Sequence, residues 1–161
     1  MDIKLWSVFI SAAVALITFL IVHFFIDPMK EKKRRKMEQY KNFYAPLYTI
    51  IITRLNIVKD FSIKNKRMAL GHTDKKPHLQ PDFMEEFIIK NSGYASENLI
   101  DAFKDYASKV GAIDKEVSET FTKTVVKDYN KLKKELRMNY NKEELKTGIP
   151  EVLKEFRTMT N

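Results

Sequence analysis

The side chains best suited to chemistry are two histidines and an aspartate in one short segment. His72, Asp74 and His78 lie within the sequence GHTDKKPHLQP, residues 71–81. Imidazole and carboxylate groups bind zinc, but a zinc site needs four donors in tetrahedral geometry, usually including thiolates or more histidines. The chain contains no cysteine. We therefore expect a solvated loop at this segment, with no bound metal.

Pairs of carboxylates could also act as a general acid and a general base, which requires a cleft and shifted pKa values. The pairs in this chain fall on polar faces of helical patterns, beside lysines: Asp101/Asp105, Glu85/Glu86 and Glu143/Glu144. Such positions are typical of solvated helix surfaces. The sequence also lacks the common phosphate-loop, dinucleotide and nucleophile-elbow motifs. We expect no catalytic activity and no cofactor.

Charge is concentrated near one end of the chain. The 161 residues carry a formal net charge of +8, and the length fits one domain with appendages. Residues 27–36 contain six basic and two acidic side chains, whereas residues 37–161 contain 22 basic and 18 acidic ones. Because the basic excess is local, it argues against a domain built to bind nucleic acid.

An apolar run without charged residues, LWSVFISAAVALITFLIVHFFI, extends from Leu5 to Ile26. As an α-helix it would be about 33 Å long, enough for a hydrocarbon core of ~30 Å. A cleaved signal peptide carries its positive charge before a shorter apolar run. Here Lys4 is the one basic residue before the run, and the others follow it. We expect residues 1–26 to form a retained transmembrane anchor.

The basic residues behind the apolar run determine the expected orientation. Six of them follow within ten residues: Lys30, Lys32, Lys33, Arg34, Arg35 and Lys36. Lysine and arginine stay on the cytoplasmic side of a membrane span. We therefore expect a single-pass protein of the cell membrane, with its N-terminus outside and its C-terminal domain in the cytoplasm. The basic cluster should also attract anionic lipid headgroups.

Small residues recur on one face of the apolar run. Ser7, Ser11 and Ala15 are spaced by four residues, and small side chains at this spacing allow two helices to approach closely in lipid. The face therefore suggests a homo-oligomer that forms through the span. Small residues are also common in membrane helices, so chance spacing is the alternative.

Helical periodicity predicts that the whole chain is all-α. Asp27-Pro28 should cap and open a basic juxtamembrane helix over residues 27–45, followed by a cytoplasmic helical domain over residues 46–161. Pro46 either kinks a helix or starts a new one. The complete prediction is one transmembrane helix, one juxtamembrane helix and a small cytoplasmic helical bundle.

The core of that bundle is expected to begin in the segment after Pro46, whose helix should extend to about Met68. Its apolar residues are Leu47, Ile51, Leu55 and Val58, with Ile50, Ile57 and Phe61 beside them. Further along, Phe83 and Phe87 should pack inward. Ser96 and Asn141 should cap the helices that follow them.

Two segments carry a resemblance to a known group of proteins. They are NFYAPLY, residues 42–48, and IIKNSGYASENLI, residues 88–100. The chain resembles small single-pass bacterial and prophage membrane proteins that have an FYxPLY-like segment behind an N-terminal anchor. The resemblance implies a helical cytoplasmic part, and it implies no catalytic residues.

Taken together, these features favour an interaction or adaptor module that is anchored at the inner membrane surface and binds an unknown protein partner. Phe43, Tyr44 and Tyr48 are the predicted contact residues, although they could instead pack into the bundle. The resemblance adds prophage exclusion or immunity as a role.

Two other functions compete with this one. Basic stretches such as KLKKELRMNYNK, residues 131–142, allow a membrane-tethered nucleic-acid-binding protein. Acidic residues interrupt these stretches and no reading-helix motif appears, so nucleic acid is the weaker candidate. A small phage-type membrane-permeabilising protein is the other alternative, but a single apolar span with one hydroxyl-bearing face does not obviously line a pore.

Overall fold

A computed structural model describes residues 3–109 and 114–159, without the side chains of residues 3–5, 7–9, 157 and 159. Within these ranges the chain is helical and has no β-strand, which confirms the all-α prediction. The chain forms two compact units, residues 1–37 and 38–161.

The first unit contains helix α1, Ile3–Ile21, a π-helical turn, Val22–Ile26, and most of helix α2, Asp27–Gln39. The sequence predicted that Asp27 would cap a new helix. Instead Asp27 has helical backbone angles, φ −65° and ψ −45°, and its N–H bonds to the carbonyl of Val22. The backbone therefore stays helical through Asp27-Pro28.

A second π-helical turn, Tyr40–Tyr44, ends two residues before Pro46, just as the first one, Val22–Ile26, ends two residues before Pro28. Here the N–H of Ala45 bonds to the carbonyl of Tyr40, five residues earlier. A proline ring clashes with the carbonyl four residues before it and has no N–H to donate. The wider π-helical turn gives that ring more room, so the backbone continues as a helix into the segment that contains Pro46.

The second unit has seven further α-helices among its described residues. They are α3, Ala45–Ile57; α4, Lys59–Lys64; α5, Pro81–Lys90; α6, Glu97–Ala107; α7, Lys115–Glu135; α8, Lys142–Thr147; and α9, Phe156–Met159. Single 3-10 turns at Pro77–Leu79, Ser92–Tyr94 and Glu151–Leu153 join some of them. The expected loop at residues 71–81 is thus present, with one 3-10 turn in it.

The core of the second unit lies between α3 and α7. Helix α7 packs against α3, α6 and α8. Buried apolar side chains come from α3, α5, α6 and α7. They are Leu47, Ile50, Ile51 and Leu55 on α3; Met84 and Ile88 on α5; Leu99 and Tyr106 on α6; and Phe121, Val125, Val126 and Leu132 on α7. Their removal from water is the main stabilising contribution.

The predicted inward face of the segment after Pro46 is only partly right. Helix α3 ends at Ile57, because Val58 leaves helical geometry with φ −118° and ψ 29°. Ile57 and Phe61 are exposed. Phe83 is also 41% exposed, and Met84 fills the core position beside it. The break after Ile57 ends the helical register on which the inward placement of Phe61 rested.

Arg54 occupies a core position that the sequence did not predict. Its side chain is 1% exposed, and its Nε donates to the carbonyl of Gly71 at 2.8 Å. The N–H of Gly71 in turn donates to the carbonyl of Arg54 at 3.1 Å. A Cβ on Gly71 would lie 2.7 Å from Cγ1 of Val58. Glycine is therefore required where the loop crosses α3.

Helix ends follow the predicted capping residues. The Oγ of Ser96 accepts from the N–H of Leu99 at 3.1 Å. The Oδ1 of Asn141 accepts from the N–H groups of Glu143 and Glu144 at 3.0 and 3.2 Å. These bonds satisfy donors that have no partner within their own helix.

Candidate functional site

Helix α1 and the π-helical turn after it expose an apolar surface. Every described side chain from Ile10 to Met29 is exposed. By length and composition this helix could cross a membrane, a property that it shares with secretion signals near an N-terminus. The described part of the chain has one such helix.

The small-residue face is only partly visible. Ser11 and Ala15 are exposed, whereas the side chain of Ser7 lies outside the described side chains. Next to this face, the hydroxyl of Thr18 donates to the carbonyl of Val14 at 2.8 Å. That hydroxyl is thus satisfied within its own helix, as threonine hydroxyls on helices often are.

The basic cluster lies on α2 and is exposed along most of its length. Glu31 accepts hydrogen bonds from Arg34 at 2.8 Å and from Arg35 at 3.0 Å. These bonds, with the charges of the two guanidinium groups, lower the pKa of Glu31 to about 2. Glu31 therefore remains a carboxylate within a strongly basic segment.

The aromatic residues predicted to contact a partner are mostly inside the second unit. Phe43 is 0% exposed and stacks on Phe87 with ring centroids 5.9 Å apart. Tyr44 is 4% exposed, and Tyr48 is half-buried. Burial removes Phe43 and Tyr44 from the predicted contact surface, because their apolar rings pack better inside the bundle than in water.

Tyr44 belongs to a polar cluster that joins the start of α6 to α7. Its hydroxyl donates to Oδ2 of Asp128 at 3.3 Å and accepts from the N–H of Ser96 at 3.0 Å. The Oγ of Ser96 also donates to Asp128. Burial, with the negative charge of Asp128, raises the pKa of Tyr44 to about 12. The three groups satisfy one another, which suits a structural role.

Glu144 is the centre of a second polar cluster and is 2% exposed. The hydroxyl of Tyr48 lies 3.0 Å from both of its oxygens. Asn130 Nδ2 and the N–H of Glu151 each donate to it at 2.8 Å. The carboxylate is thus held by donors from three parts of the chain. Sequence analysis wrongly placed Glu144 on a solvated face, because no local pattern predicts these partners.

Tyrosine rings extend this second cluster toward the surface. The rings of Tyr48 and Tyr129 are stacked, with their centroids 3.9 Å apart. The ring of Tyr40 also stacks on Tyr129, with a centroid distance of 5.8 Å. Nζ of Lys133 lies 5.2 Å from the centre of the Tyr129 ring. Stacking and the cation–π contact fix the half-buried Tyr129 in place.

The other residues that were considered for metal binding or acid–base chemistry lie mostly on the exposed surface. His72, Asp74 and His78 are exposed. Across residues 3–109 and 114–159, no group of three histidine or carboxylate side chains could hold a metal ion. Among the acid pairs, Asp101, Asp105, Glu86 and Glu143 are exposed and Glu85 is half-buried.

An exposed groove beside Phe83 on α5 is a feature of the second unit that sequence analysis missed. Phe83 is 41% exposed, and the groove, of about 350 Å³, is lined by Phe83, Glu86, Phe87, Lys90 and Asn91. Ile89 is 65% exposed but lies about 120° from Phe83 around the helix axis, so it faces another side of α5. We call Phe83 and the groove the α5 surface. Exposed apolar side chains that are surrounded by polar residues can mark protein-binding surfaces.

Comparison with known proteins adds no relative to these observations. No family model matches the chain, and no match was found among the curated proteins or among the solved structures.

Proposed function

We propose that this chain is a single-pass membrane protein whose helical second unit binds a protein partner at the cytoplasmic surface of the membrane, without catalysing a reaction. The exposed apolar helix supports the anchor, because so much apolar surface is stable only in lipid or against another protein. The six basic residues directly behind it support an orientation with the second unit in the cytoplasm.

The binding role is supported by the surface of α5. Phe83 remains exposed beside the groove, although Met84 and Ile88 on another face of the helix are buried. The polar clusters around Asp128 and Glu144 are occupied by internal hydrogen bonds. The α5 surface is therefore a better contact site than the aromatic residues that the sequence suggested.

Topology can be tested with reporter fusions after Asn161. A reporter that works only in the cytoplasm should be active, and one that works only outside should be silent, because lysine and arginine are retained inside. As a control, Lys32, Lys33, Arg34 and Arg35 are all replaced by glutamine, which should weaken this preference. The opposite reporter pattern in the unaltered protein would refute the proposed function.

Binding can be tested by photo-crosslinking in membranes. A photoreactive amino acid in place of Phe83 or Lys90, which both line the groove, should capture one discrete protein. The same amino acid in place of Lys115, which is exposed at the start of α7, provides the control. Equal capture at all three positions would show that the α5 surface is not a specific contact site.

A further inference from the structure

We propose that α2 binds anionic lipid headgroups directly through Lys30, Lys32 and Lys33, while Glu31 engages the neighbouring arginines and keeps them from the lipid. This inference rests on the proposed function, because it requires α1 to span the membrane. It assigns different tasks to six basic residues that the sequence presents as one cluster.

Helix geometry separates the arginines from the lysines. With about 100° between successive residues, Arg34 and Arg35 lie within ~60° of Glu31 around the helix axis. The lysines of the cluster all lie at least ~100° away from Glu31. The contacts agree with this arrangement. Arg34 reaches both oxygens of Glu31 at 2.8 Å, and Arg35 Nε reaches Oε1 at 3.0 Å.

The direction of the side chains also matters. Side chains on an α-helix lean toward its N-terminus. The N-terminus of α2 adjoins the apolar run, which ends at Ile26. The lysine side chains therefore lean toward the membrane. The same lean brings the two arginines back onto Glu31, which lies three and four residues before them.

Distance along the helix selects among the lysines. At ~1.5 Å per residue, Lys30 and Lys33 lie about 6 and 10 Å beyond Ile26, and Lys36 lies about 15 Å beyond it. The headgroup layer of one leaflet is about 5–8 Å thick. A long, flexible lysine side chain can reach back into that layer from the first two positions. Lys36 is too far from the headgroup layer for direct contact and contributes only to the electrostatic potential near the membrane.

Glu31 changes the charge balance around α2. Its pKa, lowered to about 2 by hydrogen bonds from Arg34 and Arg35, keeps it ionised. An anionic lipid phosphate that approached the arginines would therefore meet a carboxylate as well. Within the described residues, Lys30, Lys32 and Lys33 are exposed and form no ion pair. Charge complementarity thus points to an anionic lipid surface on the lysine side of the helix.

Lysine reactivity in the unaltered protein provides the first test. The full-length chain is reconstituted in phosphatidylcholine vesicles with and without phosphatidylglycerol, and amine labelling of each lysine is followed by mass spectrometry. Lys30, Lys32 and Lys33 should react several-fold more slowly when the anionic lipid is present. Lys131 and Lys134, exposed on α7, should be unaffected. Equal protection of all lysines, or of none, would overturn the inference.

Two double variants that remove the same charge provide the second test, with retention of phosphatidylglycerol around the purified protein as the measurement. A basic residue near the surface contributes about 1 kcal/mol, or about fivefold. K32Q/K33Q should therefore lower retention by up to about 25-fold, and R34Q/R35Q by less than about fivefold. E31Q should raise retention, because it frees both arginines.

Equal losses in the two double variants, or a larger loss for the arginine pair, would overturn the lysine assignment. Extraction with alkaline carbonate separates this result from a failure of the proposed function. If the unaltered protein resists extraction, the anchor is correct and only the lysine assignment is wrong. If the unaltered protein is extracted, the anchor and the proposed function fail.

Discussion

Tyr44 shows how a single hydroxyl can link distant parts of the second unit. It donates to Asp128 and accepts from the N–H of Ser96, so it joins residues 52 and 84 positions away in the sequence. Its ring is also edge-on to Phe43, with centroids 5.1 Å apart. A residue with these contacts contributes to stability through both its apolar ring and its hydroxyl.

Removal of that hydroxyl should lower stability in a pH-dependent way. Tyr44→Phe leaves the Ser96 N–H without its acceptor, so near neutral pH we expect a loss of about 1–2 kcal/mol in the free energy of unfolding. The pKa of Tyr44 is raised from 10.0 to about 12 in the folded protein by burial and by Asp128. Below pH 10 both states keep the proton, and the contribution of Tyr44 is fully present.

From pH 10 to about 12 the unfolded chain loses this proton while the folded protein keeps it, so stability falls as pH rises. Tyr44→Phe lacks the group and escapes that loss. The difference between the two proteins should therefore shrink across this range. Urea unfolding of both proteins at several alkaline pH values measures the difference, and a constant difference would show that Tyr44 does not titrate as described.

At the scale of elements, the end of α8 depends on a glycine in contact with α7. Gly148 has φ +73°, in the left-handed region, and its N–H bonds to the carbonyl of Glu144 at 2.8 Å. A Cβ there would lie 2.8 Å from Cβ of Lys123 and 2.9 Å from its carbonyl oxygen. Both the turn geometry and the close helix packing require a residue without a side chain.

Gly148→Ala should therefore destabilise the second unit. The left-handed conformation costs an alanine about 1 kcal/mol or more, and the overlap with α7 adds ~1–3 kcal/mol. Gly93→Ala is the matched control, since a Cβ on Gly93 would have no atom within 4 Å. Its effect should stay within ~0.5 kcal/mol. Similar shifts for both variants in thermal unfolding would contradict the proposed packing of α8 on α7.

At the scale of the whole molecule, the charge distribution matches the division into two units. The unit formed by residues 38–161 carries 22 basic and 18 acidic side chains, a net charge of +4. The first unit holds the basic cluster next to the apolar helix. Electrostatic binding should therefore be strongest at the basic cluster and weak on the second unit.

A chain of residues 38–161 should accordingly be a soluble helical protein that binds DNA weakly. We expect any binding to be independent of sequence and to disappear as salt is raised, since few phosphates can be neutralised. Fluorescence anisotropy with labelled duplexes at physiological salt measures the affinity. Submicromolar binding under these conditions would favour the nucleic-acid alternative over the adaptor role.

Sequence alone was sufficient where a structural feature depends on neighbouring residues. The all-helical class, the long apolar helix, and the caps at Ser96 and Asn141 were all predicted correctly. Each depends on a pattern within a few turns: hydrophobic periodicity, a side-chain oxygen before a helix, or a run of apolar residues. Exact helix ends were less predictable, as the early end of α3 at Ile57 shows.

Tertiary structure alone decided which polar residues are buried. Arg54 is held by the loop at Gly71, 17 residues away, and Glu144 by Tyr48, 96 residues away. A charged side chain is placed in the core only when distant donors or acceptors satisfy it. The same long-range packing covers Phe43 and Tyr44 and leaves Phe83 exposed. No local pattern records these pairings, because they form between segments that are far apart in the sequence.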